Sequence, residues 1–312
     1  MGETHVQSAE KYPFVSIIVV VLNMADTIGK CLLSLISLDY PKDKCEIIVI
    51  DGGSVDDTVK ICNELGVRCF VEKRRGRGLA RNVGIKKAKA EIIAFIDADC
   101  EADKDWLSIH VAKHSDETIG AVTGSVIDPY LATSTKSSIM SHYVEFSEFD
   151  AALKQKYTYH APTCNISFKK DALKTANFFD EELDAYEDFL LSKRIIDAGY
   201  KILFEPKAKI LHYGTRADLK FQSYLRKEWK RGEDHFKAQA IDRNMFGRMP
   251  MNPVILSIFV PSLFAARISR DSYKLLRVPN FARFALACIP YLLSGGFVWS
   301  FGYVKMSFSQ YK

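Results

Sequence analysis

A run of acidic residues directly follows a short apolar segment in the first third of the chain. In IIAFIDADCEAD, apolar residues at 92–96 lead into Asp97, and Asp99, Glu101 and Asp103 follow at every second position. Carboxylates at the end of a buried strand either cap a following helix or hold a divalent cation. Mg2+ and Mn2+ prefer oxygen ligands and bridge carboxylates to substrate phosphates. The DxD spacing of Asp97 and Asp99 therefore predicts a metal site, with helix capping as the alternative.

The segments around this cluster alternate between apolar strands and amphipathic helices over residues 14–99. The strands are FVSIIVVVLN, CEIIVID, VRCFVEK and EIIAFID, and the helices are ADTIGKCLLSLISL, VDDTVKICNEL and GLARNVGIKKAK. This alternation predicts an α/β fold with a Rossmann-like, mostly parallel sheet flanked by helices. Asn23, Asp51, the KRRGRG run and the DxD pair all follow strand ends, where open α/β sheets bind ligands. They indicate a nucleotide site.

The later part of the chain has a different pattern. We predict strands at IGAVTGSVI and ISFKK, a pair of strands at KILFEP and AKILHYG, and helices near 135–155 and from Glu187 to Ala198. The first 13 residues are polar and read as a tail without a signal peptide. Seven cysteines without a CxxC pair fit a reducing cytosol better than a disulfide framework.

Several motifs occur together in one order along the chain. They are VIDGGSVDDT, GLARNVGIKKAKAEIIAFIDADC, TCNISFKK, AYEDFLLSKRIIDAGYKI and AKILHYG. As a set, they resemble the family 2 nucleotide-sugar glycosyltransferases of the GT-A fold, over about residues 13–235. The resemblance implies a GT-A catalytic domain at 14–235, between the tail at 1–13 and a basic linker with membrane-associated helices at 236–312. It also implies a UDP- or GDP-sugar donor and Mn2+ or Mg2+ as cofactor.

The resemblance carries a set of donor-binding residues onto this chain. Asp51 would contact the nucleobase together with the end of the first strand, and Arg77 would lie beside the phosphates. A glycine turn with a Ser54 helix cap also explains DGGSVDDT, and Arg77 is alternatively a solvated charge. The full implied set is Val19, Val21, Asn23, Asp51, Arg77, Gly78, Arg81, Asn82, Asp97, Ala98, Asp99 and Asn165.

The same resemblance assigns the metal ligands. Asp99 would bind the ion that bridges the diphosphate, and Asp97 would face the ribose or a metal-bound water. His212 matches a position that supplies a further metal or phosphate ligand in some relatives. A lone histidine after an apolar strand is alternatively a packing residue or a hydrogen-bond partner.

A second acidic pair, Glu187 and Asp188, opens the helix EDFLLSKRIIDA. Acidic residues in a first helical turn also simply complement the helix dipole. The resemblance makes Asp188 the catalytic base that removes the acceptor hydroxyl proton, with Glu187 supporting acceptor binding. A carboxylate base fits an inverting displacement at the anomeric carbon.

Two further segments give weaker signals. In YLRKEWKRGED, the residues Trp229, Arg231 and Gly232 are candidates for contacts over the diphosphate, with a solvated basic helix as the alternative. The segment lacks the QxxRW form of processive polysaccharide synthases, which argues against a chain-elongating polymerase. Cys164 reads as a small packing residue, because no activating group is placed beside it by the sequence.

Two uncharged stretches follow the basic segment at 220–248. Residues 249–266 contain Pro253 and Pro261, and residues 284–304 are long enough to cross roughly 30 Å of hydrocarbon. The basic loop between them makes two crossings conflict with the positive-inside rule. We therefore expect one crossing and one in-plane helix, with the catalytic domain facing the cytoplasm. A hairpin that spans despite the rule and a soluble accessory domain are the alternatives.

These features together predict an inverting, metal-dependent glycosyltransferase that extends a lipid-linked or cell-surface glycan. A polyprenyl-phosphate glycosyl synthase is the alternative enzyme, and a catalytically silent nucleotide-binding membrane scaffold is the alternative outside enzymes. A nucleic-acid partner is disfavoured, because the basic cluster adjoins apolar stretches and lacks an interleaved aromatic platform.

Overall fold

The computed structural model describes residues 12–74, 76–131, 133–150, 153, 156–183, 185–214, 220–243, 252–277 and 284–310. The strands are β1 (Val15–Val21), β2 (Cys45–Asp51), β3 (Arg68–Val71), β4 (Ile92–Ile96), β5 (Cys100–Ala102), β6 (Ile119–Ile127), β7 (Tyr157–Thr158), β8 (Asn165–Lys169) and β9 (Lys201–His212). The helices are α1 (Ala25–Ile36), α2 (Thr58–Glu64), α3 (Arg77–Lys87), α4 (Trp106–Lys113), α5 (Lys136–Phe146), α6 (Lys170–Thr175), α7 (Glu187–Asp197), α8 (Phe221–Ile241), α9 (Pro253–Ile258), α10 (Val260–Leu276) and α11 (Ala285–Gln310).

Within the described residues, nine strands form one sheet in the order β3-β2-β1-β4-β8-β6-β9-β5, with β7 added beside β9. The half formed by β3, β2, β1 and β4 is parallel, as predicted. Antiparallel pairs enter at β8 and β5, while β6 and β9 run parallel. The predicted α/β class with a flanked, mostly parallel sheet is confirmed.

Alternate residues of the parallel strands enter two separate cores. On β1, Ile17 and Val19 pack on one face of the sheet with α1 and Trp106 of α4, whereas Ile18 packs on the other face with Ile85 of α3. Strands that are buried on both faces read as continuous Val and Ile runs, which is why these four segments were recognisable. The two layers of helices leave the carboxyl ends of the strands open to a ligand.

Two details of the later part differ from the sequence prediction. KILFEP and AKILHYG form a single strand, β9, whose pairing with β6 shifts register between Gly124 and Ser125. A bulge of this kind absorbs the irregularity at the intervening Pro206 without ending the strand. The predicted helix near 135–155 is present but ends at Phe146. All seven cysteines are free thiols, as expected.

The C-terminal helices pack along the basic helix α8. A Cβ on Gly232 of α8 would lie 2.1 Å from the Trp299 carbonyl oxygen of α11, and one on Gly302 would lie 2.3 Å from that of Trp229. Glycine at both positions lets the two backbones approach closely. The predicted domain boundary between 235 and 236 lies inside α8, which is continuous from Phe221 to Ile241.

An ionic network joins the same helices to α5, with Glu228, Arg267 and Asp271 buried and Glu145 at its exposed end. Arg231 of α8 lies 2.6 Å from Glu145 of α5 and also bonds Glu228, and Arg267 of α10 lies 3.0 Å from Glu228. Asp271 completes the set at 2.7 Å from Arg267. Removing one member of a buried network leaves its partners unpaired at a high cost in stability. The C-terminal helices are therefore part of the same folded unit as α5.

Candidate active site

The pairing of β5 with β9 brings two of the predicted metal ligands, Asp99 and His212, close together. Cys100 lies directly opposite His212 in this antiparallel pair, and the Tyr213 N–H donates to the Asp99 carbonyl over 2.9 Å. As a result, Nε2 of His212 is 3.8 Å from Oδ1 of Asp99. Ligand atoms of Asp99, Cys100 and His212 all lie within 4.8 Å of one another. The structure thus brings together Asp99 and His212, which are 113 residues apart in the sequence.

These residues fit a divalent cation. Nδ1 of His212 is buried and has no hydrogen-bond partner among the described residues. A Cβ at Gly214 would lie 2.1 Å from Oδ2 of Asp99, so glycine there leaves the carboxylate uncovered. A carboxylate with an imidazole is a donor set that Mn2+ accepts readily, whereas Mg2+ prefers oxygen alone. Cys100 was not predicted, and burial together with Asp97 and Asp99 raises the pKa of its thiol.

Asp97 lies behind this pair at the end of β4. Burial raises the pKa of its carboxyl, and Asp99 acts in the same direction, while Arg81, His212 and Arg77 oppose the rise. Ala98, between the two aspartates, is buried in the core that contains Ile96. The buried Ala98 methyl group fixes the backbone between Asp97 and Asp99. Ala98 itself offers no polar side chain to a ligand.

The turn after β2 holds Asp51, the residue predicted to contact the nucleobase. Asp51 is fully buried, and its Oδ2 accepts from the N–H groups of Gly53 at 2.8 Å and Ser54 at 2.9 Å. Its Oδ1 is buried without a hydrogen-bond partner among the described residues. A buried acceptor of this kind is costly unless a donor reaches it. The predicted Ser54 cap is replaced by a bond from the Asn23 N–H to Ser54 Oγ, over 2.8 Å.

The residues of β1 and the loop after it that were predicted to contact the donor have structural contacts of their own. Val19 is fully buried in the interior of β1, and the Val21 carbonyl accepts the Gly52 N–H over 2.8 Å. Asn23 has a left-handed backbone (φ 51°), and its Oδ1 accepts the Val55 N–H over 2.9 Å. Asn23 thus links the loop after β1 to the loop after β2 by hydrogen bonds. Contacts of these three residues with a nucleotide remain predictions.

Helix α3 brings two arginines toward the carboxylates. Arg81 is buried and forms an ion pair with Glu187 of α7, and its charge also acts on Asp97. Arg77 is exposed one turn earlier. Partial loss of water lowers the pKa of Arg77, but nearby carboxylates outweigh this effect and the pKa is raised. These carboxylates belong to Glu187, Asp97, Glu145 and Asp188. Arg77 therefore faces both the DxD region and the helix with the expected base.

Two predicted donor contacts, Asn82 and Gly78, have structural roles that the sequence did not reveal. Asn82 donates to the Phe179 carbonyl and to Glu181, both at 3.0 Å, and accepts the Phe179 N–H at 3.1 Å. A Cβ at Gly78 would lie 2.0 Å from the Asp180 carbonyl oxygen. Both residues hold α3 against the loop before α7, and a contact of either with a donor stays a prediction.

Asn165 is the clearest correction. It is fully buried, and its Nδ2 donates to the carbonyls of Ser125 and Ala208, each at 2.9 Å. Its Oδ1 accepts from Trp106 Nε1 at 2.7 Å and lies 3.0 Å from His110 Nε2. These contacts use the whole amide. Asn165 therefore links β6, β8, β9 and α4 inside the core and does not line a sugar pocket.

The expected base lies at the start of α7. Asp188 Oδ1 accepts the Phe189 N–H over 2.8 Å, and Oδ2 lies 3.7 Å from Nε2 of His160. Tyr186, just before the helix, has a left-handed backbone (φ 65°), an uncommon conformation for a bulky residue. Burial raises the pKa of Glu187, against the effect of its ion pair with Arg81. Glu187 therefore anchors Arg81, and a direct contact with an acceptor stays a prediction.

Sequence reasoning missed His160, Glu145 and Lys227. The charges of Glu145 and Asp99 act on Lys227 of α8, and Glu145 pairs with Arg231. By contrast, Trp229 donates to Glu233 over 3.0 Å in the α8–α11 interface, where Gly232 also packs. No motif marked His160 or Glu145, and within YLRKEWKRGED the sequence pointed to Trp229, Arg231 and Gly232 and not to Lys227.

Comparison with known proteins identifies the family. Residues 16–175 match the model of glycosyl transferase family 2. The chain is 29% identical over 237 residues to glycosyltransferase AglE of Haloferax volcanii, covering 74% of this chain and 76% of that protein. It is 31% identical over 200 residues to poly-beta-1,6-N-acetyl-D-glucosamine synthase of Staphylococcus aureus, covering 60% of this chain. That match spans only 46% of the synthase.

Solved structures share the fold. The mannosyltransferase PcManGT of Pyrobaculum calidifontis, in complex with GDP-Man and Mn2+, superposes with a TM-score of 0.58 at 21% identity, over 96% of this chain and 86% of that chain. S. aureus TarS 1-349 in complex with UDP-GlcNAc gives 0.53 at 17% identity, over 96% and 91%. With a family match over more than half of its length, a GT-A architecture and named glycosyltransferases as relatives, this chain belongs to glycosyl transferase family 2 and is a glycosyltransferase.

Proposed function

We propose that the enzyme transfers a sugar from a UDP- or GDP-sugar to a hydroxyl group of a lipid-linked or cell-surface glycan, with inversion at the anomeric carbon. One observation carries this proposal. Arg81 of α3 forms a buried ion pair with Glu187, the residue before Asp188, and the same guanidinium charge acts on Asp97 of the DxD motif. A cation-and-phosphate site and a carboxylate base therefore share one cleft, as the transfer of a sugar from a diphosphate to a hydroxyl requires.

The donor would bind with its base at Asp51 and its diphosphate at Asp99. The unpartnered Oδ1 of Asp51 is suited to accept an N–H from uracil or guanine. The nucleotide sugars named for the compared structures, GDP-Man and UDP-GlcNAc, are consistent with either base. Arg77 adds positive charge where the diphosphate would lie, which stabilises the leaving nucleoside diphosphate.

Asp99 and His212 would hold Mn2+ or Mg2+, with Asp97 next to them. When bound, the ion supplies positive charge to the departing diphosphate. The mixed carboxylate and imidazole donor set favours Mn2+, the ion named for the PcManGT complex. His212 is held in place by the strand pairing and by the ring of Phe146, whose centroid lies 5.0 Å away.

Asp188 would remove the proton of the attacking hydroxyl. Burial raises the pKa of Asp188, but His160, Arg81 and the Phe189 N–H outweigh burial and keep it below the ordinary aspartate value. The carboxylate is therefore ionised near neutral pH, as a base must be. A phosphate acceptor would need no base, so this geometry favours a sugar hydroxyl over polyprenyl phosphate.

A lipid-linked acceptor would place the enzyme at a membrane, with the catalytic domain in the cytoplasm. Among the described residues, one helix, Ala285–Ser309 of α11, is long and apolar enough to cross a membrane. One side of α11 presents a stripe of exposed apolar side chains at helical spacing, namely Leu286, Ile289, Leu293, Phe297, Phe301 and Phe308. The apolar stretch at 249–266 is broken at Phe259, and α10 continues into charged residues.

We infer that α11 lies along the membrane surface. Its other side packs on α8, from Gly295 beside Tyr224 to Tyr303 beside Gln239. A crossing α11 would draw the charged helix α8 into hydrocarbon, at a cost of several kcal/mol. The exposed stripe would then enter the lipid while α8 stays at its surface. This arrangement replaces the crossing that we expected for 284–304.

Transfer assays with detergent-solubilised full-length enzyme test the activity. UDP- and GDP-sugars are supplied with Mn2+, Mg2+ or EDTA, and the wild type is compared with Asp99→Asn and Asp188→Asn. We expect one donor to be consumed only with metal, and Asp188→Asn to bind that donor without transfer. Turnover in EDTA would contradict the metal role, and full transfer by Asp188→Asn would contradict the base.

A protease-sensitive epitope placed after Lys312 tests the arrangement of α11. In inside-out membrane vesicles, an in-plane α11 leaves the epitope open to protease on the same side as the catalytic domain. Protection of the epitope would show that α11 crosses. Recovery of the enzyme in the soluble fraction, without flotation on liposomes, would contradict membrane association itself.

A further inference from the structure

His160 lies on the segment between β7 and β8, opposite Asp188 at the start of α7. Its Nε2 is 3.7 Å from Oδ2 of Asp188. The ring is held between two aromatic side chains, with Phe189 at a centroid distance of 5.1 Å and Phe149 at 5.7 Å. An imidazole clamped in this way has little freedom to turn away from the carboxylate.

The backbone around His160 is fixed as well. Thr158 Oγ1 donates to the His160 carbonyl over 2.9 Å, and the Ala161 N–H donates to Ser192 Oγ of α7 over 3.2 Å. Ser192 Oγ in turn donates to the Asp188 carbonyl over 2.7 Å. The segment with the histidine is thus attached to the helix with the carboxylate by hydrogen bonds that do not involve the imidazole.

We propose that His160 is a positioning residue for the base, holding the Asp188 carboxylate ionised and turned toward the acceptor hydroxyl. This inference rests on the proposed function, in which Asp188 removes the acceptor proton. Oδ1 of Asp188 is fixed by the Phe189 N–H, and Oδ2 faces His160. The two contacts together define the plane of the carboxylate, which one contact alone would leave free to rotate.

The charges around the pair support this role. Arg81 stabilises ionised Asp188, whereas the ionised form of Glu187, the preceding residue of α7, is unfavourable to it. Arg77 faces the same carboxylates, and Glu148 is the other acidic group whose charge interacts with His160. Without His160, only Arg81 and the Phe189 N–H would offset the effect of burial, which opposes ionisation of Asp188. The pKa of Asp188 would then rise, and the base would be protonated at higher pH than in the wild type.

The test is the pH dependence of transfer by His160→Ala and His160→Gln, with saturating donor. Activity requires ionised Asp188, so it falls as the pH drops through the pKa of this group. We expect the acid limb of the kcat profile of His160→Ala to move to higher pH. We also expect kcat to fall about 10- to 100-fold at the acid end, the range typical when an orienting partner is lost. The donor KM should stay within about twofold, since His160 does not line the nucleotide site.

Two further measurements separate positioning from a general structural effect. Free imidazole should restore part of the kcat of His160→Ala by entering the space between the rings of Phe149 and Phe189, and His160→Gln should retain more activity than His160→Ala. The neighbour Tyr159, whose hydroxyl bonds Glu148 and not Asp188, provides the matched control. Tyr159→Phe should leave the acid limb in place.

The outcomes distinguish this inference from the proposed function. An equal loss of kcat by His160→Ala at all pH values, without imidazole rescue, would overturn the positioning role while Asp188→Asn still abolishes transfer. Transfer by Asp188→Asn at the wild-type rate would instead remove the base, and with it the need for His160. A shifted acid limb with imidazole rescue supports both assignments.

Discussion

His212 lies directly opposite Cys100 across β5 and β9, and this register sets its imidazole 3.8 Å from the Asp99 carboxylate. A strand register that slips by one residue moves every side chain to the other face of the sheet. The candidate metal site therefore depends on one strand pair as much as on the DxD motif. Substitutions that weaken this pairing should affect metal binding even if they change neither ligand.

His212→Gln should weaken metal binding by about tenfold or more, because the imidazole nitrogen is lost while the Asp99 carboxylate remains. Titration of Mn2+ against transferase activity measures the change, and Mn2+ electron paramagnetic resonance measures binding without turnover. His114, a buried histidine at the end of α4 whose Nε2 lies 2.8 Å from Ser167 Oγ, is the matched control. Equal Mn2+ affinity in wild type and His212→Gln would remove His212 from the site.

Asp51→Asn should raise the donor KM by about 10- to 100-fold with little change in folding. The single amide oxygen of asparagine can keep the bonds from Gly53 and Ser54, which turns the amide NH2 to where the free Oδ1 now lies. The NH2 group, a hydrogen-bond donor, then faces the N–H of the nucleobase, which is also a donor. Neither group is paired, and an unpaired buried polar group costs about 1–3 kcal/mol. Equilibrium dialysis with UDP and GDP would check this, and unchanged affinity for both would contradict the role of Asp51.

Asn165→Ala should reduce stability by about 3 kcal/mol or more, since it leaves buried partners on α4, β6 and β9 without hydrogen bonds. Urea unfolding followed by tryptophan fluorescence measures this loss. The fraction that folds should keep the wild-type donor KM, because Asn165 does not reach the cleft. A large rise in KM in well-folded protein would return Asn165 to the donor pocket.

Gly232→Ala should loosen α11 from α8 and lower stability by about 1–3 kcal/mol, because the new methyl group would meet the Trp299 carbonyl at 2.1 Å. Limited proteolysis should cut the C-terminal helices faster in this variant. Gly29→Ala in α1 is the control, where the added Cβ would meet Ile61 at an ordinary 3.5 Å. Equal cleavage of the wild type and Gly232→Ala would mean that the helices do not depend on this contact.

Much of the catalytic half could be predicted from the sequence, because its information is local. β1, β2 and β4 are apolar runs, and Asp51, Asp97 and Asp99 stand at their ends. The α/β class and the family followed from the pattern and the motif order. The confirmed elements are those whose residues are adjacent in the chain.

The corrections concern residues whose partners are distant. Asn165 follows a turn and looks available for a ligand, yet residues 40 and 43 positions away occupy its amide. Asn82 is likewise engaged by a loop 97 residues further along. His160 has no flanking motif, so only the fold reveals that it faces Asp188. Side-chain pairing across such distances is set by tertiary packing, which a single sequence does not display.

The close packing of α8 on α11 has a consequence for acceptor choice. If α11 rests in the lipid, the glycine contacts at Gly232 and Gly302 and the ionic network hold α5 and α8 in a fixed position on the C-terminal helices. The cleft then stands at a constant height above the membrane. An acceptor hydroxyl group on an anchored glycan would then be selected by its distance from the lipid surface. The enzyme would add its sugar at that distance and would not extend the product further.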